Sequence, residues 1–301
     1  MALQFPEIPV LYEDEDLLVI NKPPGIVVNR SQTQFEPTIQ DWVEERAGNF
    51  KSLISNFQKE VLTDSQKESL SIILGEPIQL FTERSGIVHR LDKDTSGVLL
   101  IAKNPAALIA CMSQFKLRQT LKKYLALVHG KFQPQSGEIN LPIGRNAKMR
   151  LQFAVREDGK ASVTEYQVLE YHSRLDIEKV VANVETIDKP SLDFYSKETH
   201  GLPKNIRHAI KMYQGFSLVE LTPKTGRTHQ IRVHLSHLHH PIVGDKTYSG
   251  IKRRLIDQIW CPRIFLHAKS LKIVHPRTKA EIEFAAPLAV DLEKTLGMLS
   301  Q

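Results

Sequence analysis

The sequence predicts an α+β fold with a mixed, mostly antiparallel central sheet flanked by helices. Strands and helices are interspersed irregularly, and several strands follow one another with no helix between them. A doubly wound fold would alternate strands and helices regularly. With 301 residues, 41% of them hydrophobic, the chain can bury a full core without staples or metal. The length fits one large domain or two small ones.

The first predicted strand is "DLLVINKPPG" (16–25), a β-branched run that two prolines and Gly25 stop in a tight turn. Residues 38–80 are polar and helix-like. Within them Ile39, Trp42 and Val43 mark one apolar face, and "DSQKESLSIIL" favours a second helix.

A core strand is predicted over "GVLLIA" (97–102). The next segment, from Asn104 to Lys116, fits a helix that is capped by Asn104 and has Pro105 at its first position. Three alternating segments then predict strands: "KYLALVHGKF", "ASVTEYQVLEY" and "FSLVELT".

The segment 173–215 is polar and interrupted by Pro190, Gly201 and Pro203, which favours a surface excursion over a second core. "THQIRVHLSHL" is helical in pattern, with apolar residues at i, i+4 and i+7. The tail "FLHAKSLKIVHPRTKAEIEFAAP" predicts two strands joined at "HPRTK".

Net charge and composition indicate which partners and which cellular compartment suit this protein. The net charge of +6 and pI of about 9.1 favour an anionic partner, nucleic acid first and acidic membrane second. The two cysteines, Cys111 and Cys261, are far apart, which argues against a disulfide scaffold and suits a reducing cytosol. The start carries no signal-peptide pattern and no apolar run could span a bilayer. We expect a soluble, cytoplasmic protein.

The stretch "IVHRLDKDTSGVLLIAKN" (87–104) places Asp92 between Arg90 and Lys93, directly before the core strand. Residues two apart in an extended chain share a face, and a neighbouring guanidinium favours the ionised carboxylate. Such an Asp suits nucleophilic or electrostatic work. On this segment alone, a surface ion pair worth ~0–1 kcal/mol is the preferred interpretation.

A second informative stretch is "LTPKTGRTHQIRVHLSHLHHPIVGD" (221–245). Amides at the start of its helix, with Lys224 and Arg227 beside them, form a candidate phosphate cradle. Arg232 borders the apolar stripe of the helix and needs an anionic partner, for which Asp92 is a candidate. A snorkelling arginine with a solvated head is an equally good interpretation.

Five histidines between 229 and 240 raise the question of a metal site. No carboxylate or cysteine accompanies them at a familiar ligand spacing. Hydrogen-bonding or RNA-facing histidines are the better interpretation, and we predict no metal.

Tyr124 follows a basic cluster in "KLRQTLKKYLALVHG" (116–130). Basic residues interleaved with an aromatic suit a polyanion whose bases can stack. Taken alone, a strand tyrosine is most often core packing.

Together these stretches resemble the RluA-type family of pseudouridine synthases. "HRLDKDTSG" (89–97) is similar to that family's catalytic signature and "YEDEDLLVINKPPGIVV" (12–28) to its entry strand and turn. "KKYLALVHG", "GKASVTEYQVLE", "TGRTHQIRVHLSHLHHPIVGD" and "FLHAKSLKIVHP" resemble its later motifs, in order. Residues 31–80 and 173–215 match poorly.

The resemblance implies the pseudouridine synthase fold and an enzyme that isomerises uridine to pseudouridine in RNA without cofactor or metal. It implies that Asp92 is the catalytic aspartate, that Tyr124 is a catalytic tyrosine that stacks on the target base and can move a proton, and that Arg232 pairs with Asp92. It also implies that Arg90 fills the gap left by the flipped nucleotide. Further RNA contacts are expected at His89, Lys22, Arg84, Lys224 and Arg227.

Two other classes of protein are alternatives: an RNA-binding or ribosome-assembly factor without turnover, and a metal-dependent nuclease built on the histidines. The combination of Asp92, Tyr124 and Arg232 counts against the first, because a pure binder has no need of it. Insensitivity to chelators and the absence of strand cleavage would exclude the second. The chemistry leaves two routes open, an ester of Asp92 with C1′ or removal of the C2′ proton to give a glycal.

We expect one catalytic domain over residues 1–301, with polar insertions near 45–80 and 173–215 and no separate N-terminal RNA-binding module. The insertions either help to choose the RNA or are solvated surface. Ribosomal RNA is the first expected substrate and transfer RNA the second, and the protein is expected to be a monomer.

Overall fold

The computed structural model describes residues 4–31, 34–46, 77–149, 152–185 and 213–300. It divides into two compact units. The first comprises Met1–Lys122 and Ala268–Pro287, and the second Lys123–His267 and Leu288–Gln301. The predicted mixed, mostly antiparallel sheet with flanking helices is confirmed. The single catalytic domain stays a prediction.

The first unit is built on a twisted set of strands in the order β1-β2-β3-β11, with β12 pairing β11. Its strands are β1 (Val10–Glu13), β2 (Leu17–Lys22), β3 (Ser96–Ala102), β11 (Leu266–Val274, from Ala268 onward in this unit) and β12 (Glu281–Ala285). Strands β2 and β3 run antiparallel, with Lys22 opposite Gly97. This register brings the turn after β2 next to the loop that precedes β3.

The described residues of the first unit form the helices α1 (Ile39–Arg46), α2 (Pro77–Arg84) and α3 (Pro105–Lys116). The side chain of Asn104 caps α3 by accepting from the Ala107 N–H, and Pro105 stands at its first turn, so this prediction is confirmed. All seven residues of β3 are buried. The core of the unit is apolar, with Leu17, Val19, Phe81, Leu100, Leu108 and Leu271 among its members.

The second unit has strands in the order β4-β10-β8-β5. These are β4 (Leu121–His129, from Lys123 onward in this unit), β5 (Ser136–Asn140), β8 (Val163–His172) and β10 (Phe216–Pro223). Two short antiparallel pairs accompany them, β6 (Ile143–Arg145) with β7 (Phe153–Val155) and β9 (Arg174–Leu175) with β13 (Leu299–Ser300). The helices in its described part are α4 (Ile177–Glu185), α5 (Gln230–His237), α6 (Ile251–Trp260) and α7 (Val290–Gly297).

A separate apolar core fills the second unit. It includes Leu127 from β4, Phe216 from β10, Leu235 from α5 and Trp260 from α6. Burying one such aromatic or aliphatic side chain contributes about 1.5–3 kcal/mol. The core thus holds β4 and α5, the two elements that carry Tyr124 and Arg232.

The strands predicted at the start, middle and tail of the chain are confirmed, as are the helices at 39–46 and 230–237. The helix predicted at "DSQKESLSIIL", and most of the segments 45–80 and 173–215, lie outside the described residues. Among the described helices, none combines the length and apolarity that crossing a membrane requires.

Candidate active site

Asp92 lies in the loop between α2 and β3. The loop turns over "DKDT", where the Thr95 N–H donates to the Asp92 carbonyl at 3.1 Å. Thr95 and Ser96 are buried, whereas the Asp92 side chain is only half-buried. The loop therefore presents its carboxylate at the surface of a buried strand.

Lys22 fixes this loop from the neighbouring strand. Its side chain is fully buried, and its ammonium donates to the carbonyls of Pro23 (2.8 Å), Lys93 (2.9 Å) and Thr95 (3.0 Å). An ammonium has three N–H donors, so each can reach one carbonyl. The Gly25 N–H also donates to the Lys93 carbonyl at 2.9 Å. Lys22 thus joins the "KPPG" turn to the Asp92 loop, and its predicted phosphate contact stays a prediction.

Gly97 lets β3 pass close to β11. Its φ is +113°, and a Cβ added there would lie 2.2 Å from the Ala268 carbonyl oxygen. Only glycine satisfies both the backbone angle and the approach. The glycine of "DKDTSG" therefore has a structural role just after the loop.

His89 precedes the loop and is held by its ring. The ring stacks on Phe115 with centroids 4.7 Å apart, and its Nε2 accepts the Leu100 N–H at 3.1 Å. Burial, with Lys122 and Arg84 adding repulsion, lowers the pKa of His89 to about 3. His89 is thus neutral, with the proton on Nδ1. Because Nε2 is occupied, only Nδ1 is left for RNA, and that contact stays a prediction.

Two predicted RNA-contacting arginines flank His89. Arg90 is exposed, and Arg84 is half-buried with its Nε donating to the Ile87 carbonyl at 3.0 Å. Burial lowers the pKa of Arg84, which still remains charged at neutral pH. Their RNA contacts stay predictions.

Arg232 lies on α5 and is bound by a residue that sequence reasoning missed. Its Nε and one terminal nitrogen donate to the two oxygens of Asp245 at 2.8 and 2.9 Å. Asp245 is fully buried and also accepts the N–H groups of Thr247 and Tyr248. The guanidinium lies over the Tyr248 ring, 5.1 Å from its centroid. A bidentate pair of this kind fixes the plane of the guanidinium.

The signal for Asp245 was available in the sequence. It is a single carboxylate directly after the apolar run "PIVG", where an ionised group needs a partner. Arg232 and Asp92 belong to different units, and their predicted pairing stays a prediction.

The loop before α5 is ordered by Gln230. Its carbonyl oxygen accepts the Thr225 hydroxyl (2.7 Å) and the Arg227 N–H (3.0 Å), while its amide donates to Val163 and Thr164. The Arg227 amide, one donor of the expected phosphate cradle, is therefore already bonded to protein. Lys224 pairs with Glu165 at 2.7 Å, and Arg227 Nε donates to the Ala161 carbonyl at 3.4 Å. Since both cations remain partly exposed, their RNA contacts stay predictions.

Tyr124 lies opposite Leu221 in the β4–β10 pair. The side chain is half-buried and packs against the core of the second unit. Its backbone is therefore rigid, as stacking on a base requires. The stacking itself stays a prediction.

The buried histidine of α5 is bonded to the protein itself. His234 is fully buried, with Nδ1 bonded to Thr164 Oγ1 and Nε2 to the Leu141 carbonyl, both at 3.0 Å. In the described ranges, one group of three potential ligands lies within metal-binding distances: Asp14, Asp16 and His275. These carboxylates are already engaged, Asp14 by Tyr12 and His275, and Asp16 by Arg277 and Asn104. The potential ligand atoms of this set are therefore used in ion pairs and hydrogen bonds within the protein.

Comparison with known proteins decides the family. The model of the family described as RNA pseudouridylate synthase matches residues 16–237, well over half of the chain. The chain belongs to this family. It is thus a pseudouridine synthase by descent, and members of the family are isomerases. The resemblance to RluA-type enzymes is confirmed.

Relatives of this pseudouridine synthase match over nearly its whole length. An uncharacterized RNA pseudouridine synthase of Bacillus subtilis, YlyB, is 33% identical over 97% of this chain and 73% of its own. The ribosomal large subunit pseudouridine synthase D of Blochmanniella floridana is 30% identical over the same shares. Among solved structures, human RNA Pseudouridylate Synthase Domain Containing 1 superposes with a TM-score of 0.62 at 26% identity, covering 98% of this chain and 88% of that one.

Proposed function

We propose that this pseudouridine synthase isomerises specific uridines in structured RNA with Asp92 as its nucleophile. The observation that carries the proposal is the position of Asp92 within "HRLDKDTSG", on a loop that the buried ammonium of Lys22 clamps to the sheet. A clamped loop keeps a reacting group within a fraction of an ångström of its working position.

The reaction breaks the N1–C1′ bond of uridine and makes a C5–C1′ bond, so atoms balance without a co-reactant. In one route the Asp92 carboxylate attacks C1′ and uracil leaves with the bonding electrons, giving an ester. In the other route the carboxylate removes the C2′ proton while uracil leaves with the bonding electrons, giving a glycal. Uracil turns and C5 bonds to C1′, which releases the Asp92 carboxylate from the ester or returns the proton from Asp92 to C2′ of the glycal. The C5 proton then moves to N1. Both routes need an anion and neither needs a metal or a cofactor.

Arg232 and Tyr124 are proposed to complete the chemistry. Arg232, oriented by Asp245, would keep Asp92 ionised and aimed, because a guanidinium beside a carboxylate favours its charged form. Tyr124 would stack on the target base. Stacking is worth about 1–3 kcal/mol per base, which offsets much of the few kcal/mol that flipping the nucleotide costs.

Arg90, Lys224 and Arg227 are proposed to contact the RNA, with Arg90 in the gap that the flipped nucleotide leaves. The Arg90 side chain is exposed, directly before the Asp92 turn. Phosphate contacts of this kind make binding weaken as salt rises.

Ribosomal RNA is the proposed substrate, with transfer RNA second. A relative that is 30% identical over 97% of this chain is named for the ribosomal large subunit. We propose the cytoplasm as the location, in keeping with two buried, free cysteine thiols.

Mapping pseudouridines in cells with and without the gene tests this proposal. We expect one or a few ribosomal RNA positions to lose pseudouridine and to regain it when the wild-type gene is restored. Loss confined to transfer RNA would move the substrate to the second choice, and an unchanged map would contradict the proposed activity.

A further inference from the structure

Two cations near the Asp92 loop have no carboxylate partner among the residues that the structure describes. Lys122 and Arg84 are half-buried, and within the described ranges neither forms an ion pair with a carboxylate. Other lysines of the same unit have one. Lys93 pairs with Glu36 at 2.8 Å and Lys103 with Glu13 at 3.0 Å. Burying a charge without a partner costs free energy, so an anion bound beside these two side chains would stabilise them.

Lys122 and Arg84 both lie near His89, whose ring stacks on Phe115. The Lys122 ammonium lies over Phe115, 5.8 Å from the ring centroid, and the His89 ring stacks on that same Phe115 at 4.7 Å. Arg84 donates from Nε to the Ile87 carbonyl, two residues before His89. All these residues belong to the first unit.

The electrostatic effect of both cations on His89 agrees with this placement. Both cations act on His89, where they add to the effect of burial in lowering its pKa. Burial lowers the pKa of Lys122 to about 8, which marks an ammonium removed from water and not compensated by a carboxylate. Because His89 is neutral, it adds no charge of its own. The local field is therefore positive and comes from Arg84 and Lys122.

We propose that Arg84 and Lys122 together form a subsite for one phosphate of the RNA strand beside the target uridine. The anion is identified as an RNA phosphate on the strength of the proposed function. A phosphate offers two non-bridging oxygens, one for the guanidinium fork and one for the ammonium. His89 lies three residues before Asp92, so a phosphate held here would anchor the backbone of a nucleotide near the one that reacts.

Binding of a short uridine-containing RNA hairpin by the full chain, measured as a function of salt, tests the subsite. The variants are Arg84→Gln, Lys122→Gln and the double variant. The matched control is Lys272→Gln, a partly exposed lysine of the same unit that already pairs with Glu281 at 2.7 Å. Lys122→Arg should keep near-wild-type affinity, because it keeps the charge.

We expect each Gln variant to bind about 3–10-fold more weakly at moderate salt, with the control unchanged. The double variant should reduce the slope of log K against log [salt] by about 1, as expected for the loss of one phosphate contact. Thermal unfolding confirms that each variant is folded. Lys122→Met, which keeps packing on Phe115, replaces Lys122→Gln if the latter is unstable. Affinities and slopes equal to those of the control would overturn the subsite.

The same proteins separate the two proposals. If the wild type isomerises no uridine but the Gln variants still bind RNA more weakly, the proposed activity fails and the subsite stands. If the wild type is active and the variants bind as tightly as the control, the subsite alone fails.

Discussion

At the scale of single residues, the environment of Asp92 depends on Lys22. Lys22 and Thr95 are 73 residues apart in sequence, yet the ammonium of one donates to the carbonyl of the other. A buried ammonium is stable only when its donors are satisfied, and here backbone carbonyls supply the acceptors. The lysine thereby ties the position of the loop to the pairing of β2 with β3.

Replacing Lys22 by Met tests this role. Met fills similar volume but leaves buried carbonyl oxygens of the loop without their donor. We expect the free energy of unfolding to fall by about 3 kcal/mol and turnover to fall with it. Urea unfolding provides the measurement. Lys272→Met, which breaks an exposed pair with Glu281, should cost less than ~1 kcal/mol. Equal stability of the two variants would contradict the conclusion that Lys22 holds the Asp92 loop in place.

Asp245 is the second residue on which the geometry of the proposed site depends, because it orients Arg232. Asp245→Asn keeps the shape but removes the charge that holds Arg232 in a bidentate pair. We expect the rate of the chemical step to fall about 100-fold, because a misplaced group about 1 Å away costs that much, with RNA affinity nearly unchanged. Single-turnover kinetics beside equilibrium binding separate the two quantities. A normal rate would show that Arg232 needs no positioning by Asp245.

At the scale of elements, the close approach of β3 and β11 depends on Gly97. Gly97→Ala would place a methyl group against the Ala268 carbonyl at a φ that favours glycine. We expect a loss of several kcal/mol in stability, since the backbone has to move. The matched control is Gly25→Ala, also at positive φ (+86°) but with open space around the added Cβ, which should cost about 1 kcal/mol. Similar losses for both variants would contradict a steric role for Gly97.

The elements also show what sequence can predict. Strands β2, β3 and β11 have long apolar or alternating runs, and α3 has a cap and a first-turn proline, so local patterns suffice. The three-residue strands β6 and β7 carry no comparable pattern, and pairing within the fold decides them. The same distinction holds in the site. The Asp92 turn is local and was predicted, whereas the partners of Lys22 and Arg232 arise from contacts distant in sequence.

At the scale of the whole molecule, His89 makes stability depend on pH. Its pKa is about 3 in the folded chain and about 6.5 in the unfolded chain, so the unfolded state binds more protons between these values. The contribution of His89 to the free energy of unfolding is therefore fully present above pH 6.5 and is lost as the pH drops toward 3. We expect a loss of roughly 1–2 kcal/mol between pH 7 and pH 5 from this residue. His89→Gln, which keeps an acceptor for the Leu100 N–H, should flatten that part of the profile. The measurement is urea unfolding of both proteins as a function of pH. If the wild type and His89→Gln gave the same pH profile, the low pKa of His89 would be contradicted.

The whole account rests on Asp92 as the group that attacks the sugar, and one measurement tests it most directly. Pseudouridine formation and RNA binding are measured side by side for the wild type, Asp92→Asn and, as control, Asp94→Asn in the same turn. Asn keeps the shape but removes the anion that both routes require. We expect Asp92→Asn to form no pseudouridine while binding RNA as tightly as the wild type, with Asp94→Asn active. Near-normal turnover by Asp92→Asn would contradict the account.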